Sequence, residues 1–271
     1  MTDDDCVRIL REWCPRHGLR FEGFRRVRSQ VRKRIGRRLV ELGLAAVERY
    51  LERLEADPAE QLQLESFCRI SISRFYRDRL VFDRLREAEL PRLAREALES
   101  PQPKVRIWCA GCASGEEPYT IALLWSLELA DRFPGCTLEL SATDANAALI
   151  DRAHRGEYPA GSIRDLPAPF RSAFEIVGRT AILPVQFRSL ASFSVADVRT
   201  VFPDRELDGI FCRNLPFTYF ELEAQRRFLE AVDRILRPGG LLAIGAKEVL
   251  PGDHRFRESA PGTGLFVRSS E

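Results

Sequence analysis

Lysine, histidine and net charge are all scarce in this chain of 271 residues. Its 42 Lys+Arg nearly cancel 40 Asp+Glu, and Lys33, Lys104 and Lys247 are its only lysines. His17, His154 and His254 show no ligand spacing, so no metal centre is expected. No apolar run approaches the roughly 20 residues that cross a bilayer, so no membrane insertion is expected. The acidic start Met1–Asp5 is the opposite of a secretory leader. Seven cysteines, an odd number without framework spacing, point to reduced thiols and a cytoplasmic protein. Cys109 and Cys112 have C-x-x-C spacing, but no second pair exists and a glycine turn accounts for the local pattern.

The charge that is present is uneven. Nine basic residues and one acid lie between Arg20 and Arg38, a local +8 that leaves −6 elsewhere. Phe24, Val27, Val31, Ile35 and Leu39 recur at helical spacing between them, so the other face is positive. Such a face is a solvated surface or a docking surface for an acidic partner; a protein is preferred over nucleic acid. Gly43 is expected to end that helix, and Asp57-Pro58 the next. The organisation expected is a helical domain over 1–65, a connecting segment over 66–100, and an α/β domain over 101–271.

From Pro101 strands and helices alternate, which implies a doubly wound, Rossmann-like parallel sheet. Residues 157–190 break the rhythm with four prolines and a hairpin-like stretch from Phe174 to Leu183. Pro238-Gly-Gly240 is expected as a turn, and Gly264–Val267 as a final edge strand.

The first strand runs into A-G-C-A-S-G-E-E-P-Y, residues 110–119. Small residues such as Gly111 let a backbone approach a ligand, and a helix start offers free N–H groups. No Lys-Ser/Thr follows, which excludes a P-loop. Glu116 and Glu117 would repel a pyrophosphate but suit a cationic ligand bearing an amine and hydroxyls, such as S-adenosylmethionine. Asp144, at the tip of the second strand, is placed to accept ribose hydroxyls or to cap the next helix. Asp197 ends a further strand, and Asn214 and Tyr219 lie in a polar, aromatic segment after the fourth.

Several motifs now stand in order: R-I-S-I-S-R-F-Y-R-D at 69–78, W-C-A-G-C-A-S-G-E-E-P-Y-T, A-T-D followed by the R-G-E-Y stretch, I-F-C-R-N, and L-R-P-G-G. Together they resemble the CheR-type family, the S-adenosylmethionine-dependent glutamate methyltransferases of bacterial chemoreceptors. The resemblance implies a class I methyltransferase sheet preceded by a small all-α N-terminal domain. It implies S-adenosylmethionine as cofactor, S-adenosylhomocysteine as product, and cofactor contacts from Ser71, Ser73, Arg77, Gly111, Glu117, Asp144, Asp197, Val198, Asn214 and Leu215. It places Arg77 and Tyr219 near the transferring methyl, and Arg25, Arg28 and Arg32 on a surface for an acidic helical substrate such as a chemoreceptor cytoplasmic domain.

Three departures from the family stand out. Ser71 replaces an asparagine. The R-N-L-P-F-T-Y-F loop is one residue longer than the family's, and the insertion at 157–190, where the family carries a receptor-tethering subdomain, looks short. A small-molecule carboxylate, thiol or amine acceptor is therefore the alternative substrate, and a non-catalytic cofactor-binding regulator the alternative class. N-L-P-F at 214–217 also partly matches the N-P-P-F/Y motif of amino methyltransferases.

Overall fold

The computed structural model describes residues 1–71 and 73–270. Two compact units are present: Met1–Ser71 with Thr218–Ala224, and Ile72–Phe217 with Gln225–Glu271. The sequence reading instead ended the helical domain at 65 and interposed a connecting segment to 100.

The smaller unit is built on α1 (Asp3–Trp13), α2 (Arg28–Glu41), α3 (Val47–Ala56) and α4 (Pro58–Cys68). Thr2 starts α1 with a reciprocal capping box, its Oγ1 accepting from the Asp5 N–H at 3.1 Å. Phe24 and Val27 are buried as expected but precede α2, because Phe21–Phe24 forms a 3-10 turn. Val31, Ile35 and Leu39 are the buried stripe of α2, and Gly43 follows its last turn with φ +67°. Asp57 ends α3 and caps α4 by accepting from the Ala59 N–H at 3.0 Å, with Pro58 in the first turn. Glu60 is buried at 1% exposure, gripped by Arg38 (2.8 and 3.1 Å) and by the Tyr50 hydroxyl (3.1 Å).

The segment 218–224 pairs with this unit. Arg20 N–H donates to the Tyr219 carbonyl at 2.8 Å and Glu221 N–H to the Gly18 carbonyl at 3.0 Å, around an antiparallel bridge between Leu19 and Phe220. A side chain at position 23 would meet the Thr218 carbonyl oxygen at 2.3 Å, so only glycine fits there.

In the larger unit, α5 (Arg79–Arg84) and α6 (Leu90–Leu98) are joined by a π turn over Leu85–Glu89, just before Pro91. Pro91 lacks an N–H, and the wider turn absorbs the missing bond. The chain then alternates through β1 (Lys104–Ala110), α7 (Glu116–Leu124), β2 (Thr137–Asp144) and α8 (Ala147–Arg155). Next come β3 (Glu157–Pro159), α9 (Ala168–Arg171), β4 (Glu175–Val177), β5 (Thr180–Ile182) and α10 (Val185–Arg188). It ends with β6 (Ala191–Val195), β7 (Leu207–Phe211), α11 (Pro216–Tyr219), α12 (Leu222–Ile235), β8 (Leu236–Ala243), β9 (Phe256–Ala260) and β10 (Leu265–Arg268).

The main sheet has the order β6-β2-β1-β7-β8-β10-β9, parallel except for β10. The expected α/β architecture is therefore present. β7 is buried along its whole length, as a central strand covered on both faces must be. The strand order reverses between β1 and β7, and the crevice above that switch point is where doubly wound sheets hold ligands.

Two expectations fail here. β10 is not an edge strand but lies between β8 and the unforeseen β9, whose polar sequence buries chiefly Phe256. Pro238-Gly-Gly240 falls within β8, where pairing jumps from Leu207–Leu236 to Gly209–Leu241, an irregularity that absorbs the extra residues. The insertion is more structured than it looked: β3, β5 and β4 form a three-stranded antiparallel sheet.

Candidate active site at the carboxyl edge of the sheet

The candidate residues lie at or just beyond the carboxyl ends of β1, β2, β6, β7 and β8. The turn after β1 is bonded to β2: the N–H groups of Gly111 and Cys112 both donate to the Thr143 carbonyl, at 2.8 and 2.9 Å. Gly111 has φ +74°, and a Cβ there would lie 2.4 Å from Leu215 Cδ2. Gly115, at φ +90°, opens α7 among Ala153, Tyr119 and Phe193. The backbone can thus be approached at Gly111, and Leu215 lies against it.

The two adjacent acids divide their work. Glu116 is buried and accepts from the Ser114 hydroxyl at 2.9 Å. Glu117 is half-buried and accepts from Arg213 Nη1 at 2.9 Å. Asp144 accepts from the Ala113 N–H on one oxygen and the Asn146 N–H on the other, both at 2.9 Å. Asp144 thus braces the turn after β1 and the start of α8, whose N-cap is Asn146 itself.

Beyond β7, the Asn214 N–H donates to Glu248 Oε2 at 2.8 Å, and the Gly245 N–H to the same oxygen at 2.6 Å. A Cβ at Gly245 would fall 2.8 Å from Asn214 Oδ1. Glu248 therefore fixes the backbone that presents Asn214. Asp197 is engaged by Arg199 through Nε (3.0 Å) and Nη2 (2.6 Å), with Val198 buried beside it. Ser73 and Arg77 are half-buried in the same unit, while Ser71 is exposed in the smaller unit.

All four non-glycine residues with left-handed φ among the described residues flank these positions: Tyr76 (56°), Asp78 (63°), Ala113 (50°) and Asn214 (58°). Each such conformation costs of order 1–3 kcal/mol, and such strain concentrates at functional sites. Tyr76 and Asp78 bracket Arg77.

Arg213 received no role from the sequence. Its side chain is 3% exposed, and Nη2 donates to Asp78 at 2.6 Å and to the Arg77 carbonyl at 3.2 Å. The guanidinium lies over the Phe82 ring at 5.4 Å. The signal available was a cation abruptly following the apolar run of β7. Burial pushes the thiols of Cys109, Cys112 and Cys212 well up, so they are protonated packing groups beneath the turn.

Tyr219 belongs to the smaller unit, its ring 5.1 Å from Phe24. Phe217 and Phe220 are buried. Of the docking arginines, Arg25 is exposed, but Arg28 forks onto Asp3 at 2.7 and 3.2 Å, and Arg32 lies 3.8 Å from the same carboxylate. Arg34 donates to the carbonyls of Phe67 and Arg69. The exposed cations of the stretch are Arg20, Arg25, Arg26, Lys33 and Arg37.

The donor set fits S-adenosylmethionine: carboxylates for an ammonium and ribose hydroxyls, a glycine turn for close approach, and no lysine at the turn for a phosphate. The family described as CheR methyltransferase, SAM binding domain, matches residues 71–264. Chemotaxis protein methyltransferase 2 of Pseudomonas aeruginosa is 32% identical over 233 residues, covering 80% of this chain and 77% of its own. The chemotaxis protein methyltransferase of Listeria monocytogenes is 31% identical, covering 83% and 84%. That of Borreliella burgdorferi is 26% identical, covering 97% and 94%. With a seven-stranded doubly wound sheet, that family match and these relatives, this chain belongs to the CheR family of S-adenosylmethionine-dependent methyltransferases.

Proposed function

We propose that this methyltransferase esterifies glutamate side chains on the helical cytoplasmic domain of a chemoreceptor. The observation that carries the reading is the match to chemotaxis protein methyltransferases over most of both chains. Further support comes from the exposed cations Arg25, Arg26, Lys33 and Arg37, which suit an acidic helical surface. A cytoplasmic location follows from that substrate.

S-adenosylmethionine, when bound, supplies an electrophilic methyl group. Glu117 takes its ammonium and Asp144 its ribose hydroxyls; Asn214 and Leu215 line the crevice, with Ser73, Asp197 and Val198 as further contacts. A glutamate acceptor is already ionised at neutral pH, so no strong base is needed. The chain's task is orientation and exclusion of water, and orientation alone is worth many kcal/mol. Arg77 pairs with the acceptor carboxylate or orders the cofactor end.

The test uses methyl-labelled cofactor and a purified chemoreceptor cytoplasmic domain. Label released as methanol by mild base identifies an ester. Base-stable label, or label found only in small molecules, overturns the reading. Arg77→Ala is expected to keep the fold and cut turnover by about 100-fold or more; unchanged turnover removes Arg77 from its role.

A further inference from the structure

Arg213 connects three parts of the site that no other feature of the sequence links. Through Nη1 it holds Glu117, the acid assigned to the cofactor ammonium. Through Nη2 it holds the Asp78 carboxylate and the Arg77 carbonyl. Both flanks of Arg77, Tyr76 and Asp78, are non-glycine residues in left-handed conformation. A segment bent in that way keeps its shape only while its surroundings hold it. On the Tyr76 side the hold is the Tyr76 N–H to Thr120 Oγ1 at 3.2 Å, the ring being buried against Phe82. On the Asp78 side it is Arg213.

The charge count is equally specific. One guanidinium faces two carboxylates, leaving a residual −1. The methyl donor carries an ammonium, a sulfonium and a carboxylate, a residual +1. Arg213 therefore leaves enough negative charge to attract the cofactor without leaving two uncompensated anions in a half-buried crevice. Its Nε–H has no partner among the described residues, so hydrogen-bond economy alone does not explain the residue.

We infer that Arg213 is a positioning residue: it fixes the Arg77 segment against the cofactor acid, so that the group facing the acceptor and the group holding the donor keep one geometry. The inference rests on the methyltransferase reading above and deepens it.

Arg213→Lys separates charge from geometry. Lysine preserves the residual −1, but a single ammonium cannot span Glu117, Asp78 and the Arg77 carbonyl as a planar fork does. The expected result in the full chain is S-adenosylhomocysteine affinity within about threefold of wild type, with kcat on a receptor domain lowered about 10- to 100-fold, the loss a misplaced catalytic group produces. Amide hydrogen exchange should accelerate at residues 76–79 and not in the sheet. Unchanged kcat overturns the inference, as does unchanged exchange at 76–79, or a parallel fall of kcat, affinity and melting temperature.

Should Arg213→Lys not fold, Asp78→Asn decides. It alters an exposed carboxylate and spares the Glu117 pair, and the same fall in kcat and rise in local exchange are expected; no change in either overturns the inference. The exchange measurement is decisive even where wild-type protein leaves a receptor domain unlabelled, an outcome that defeats the substrate reading alone.

Discussion

Replacing Gly111 by alanine places one methyl group at the centre of the proposed cofactor cradle. Two costs can be separated. At φ +74° the new Cβ crowds its own backbone, which costs about 1–2 kcal/mol. The same Cβ falls 2.4 Å from Leu215 Cδ2, far inside the ~3.5–4.0 Å carbon–carbon optimum. Leu215 Cγ is 3.6 Å away, so turning the terminal methyl aside relieves the clash, at roughly 0.5–1.5 kcal/mol for an off-rotamer side chain. Together the costs come to about 2–3 kcal/mol, a melting temperature lower by roughly 4–12 °C for a chain of this size.

Affinity should fall as well, because the displaced leucine enters the space the cofactor needs. A loss of about 2 kcal/mol is roughly 30-fold in Kd. Titration calorimetry with S-adenosylhomocysteine and thermal unfolding measure the two quantities. The double variant Gly111→Ala with Leu215→Ala should recover the steric part and leave the backbone part, a coupling of about 0.5–1.5 kcal/mol between the sites. Wild-type affinity in Gly111→Ala would refute the placement of the cofactor at this turn. Strictly additive effects in the double variant would refute the contact with Leu215.

Three further expectations follow from other parts of the chain. Arg26→Glu with Arg37→Glu should raise KM for a receptor domain about tenfold, with an effect that fades at high salt, and leave melting unchanged; Arg28→Glu should lower melting instead, because it repels Asp3, and kinetic and unfolding measurements separate the two. Burial alone would raise the Glu60 carboxyl, but hydrogen bonds from Arg38 and Tyr50 outweigh it and hold the group below the usual range. Its stabilisation is thus full above the unfolded value near ~4.3 and lost as pH falls through the lower native value, so thermal unfolding should show an acid loss that Glu60→Gln makes shallower. Asp144→Asn should weaken S-adenosylhomocysteine binding about tenfold or more, because an amide nitrogen facing the Ala113 or Asn146 N–H cannot accept, and calorimetry reads the loss.

That Gly111, Glu117, Asp144 and Asn214 stand at or just beyond strand ends was legible, because strand–helix alternation places a turn at each strand end. Long-range partners were not. Nothing near Arg213 in the chain names Asp78 or Glu117, which lie far away and meet it only when β7 is threaded beside β1. The basic stretch misled for the same reason: spacing showed which residues of α2 face inward, but not that Asp3 would neutralise Arg28 and Glu60 would take Arg38. β9 escaped because a peripheral strand with one buried apolar residue has no periodicity to read. Glu116 and Glu117 are chemically identical in sequence, and only helix phase turns one toward Ser114 and the other toward Arg213.

The discontinuous makeup of the helical unit bears on how the protein is made. Residues 218–224 complete that unit, yet they leave the ribosome long after residue 71. The first 71 residues must therefore wait, with the backbone of Gly18 to Arg20 lacking its native strand partner. Vectorial, domain-by-domain folding ends cleanly only where a domain is continuous; here closure of the helical unit is postponed to a later, long-range pairing of the kind that slows folding. A fragment stopping before Thr218 should therefore be more prone to aggregate than its helical content suggests, and residues 218–224 supplied as a peptide should protect it.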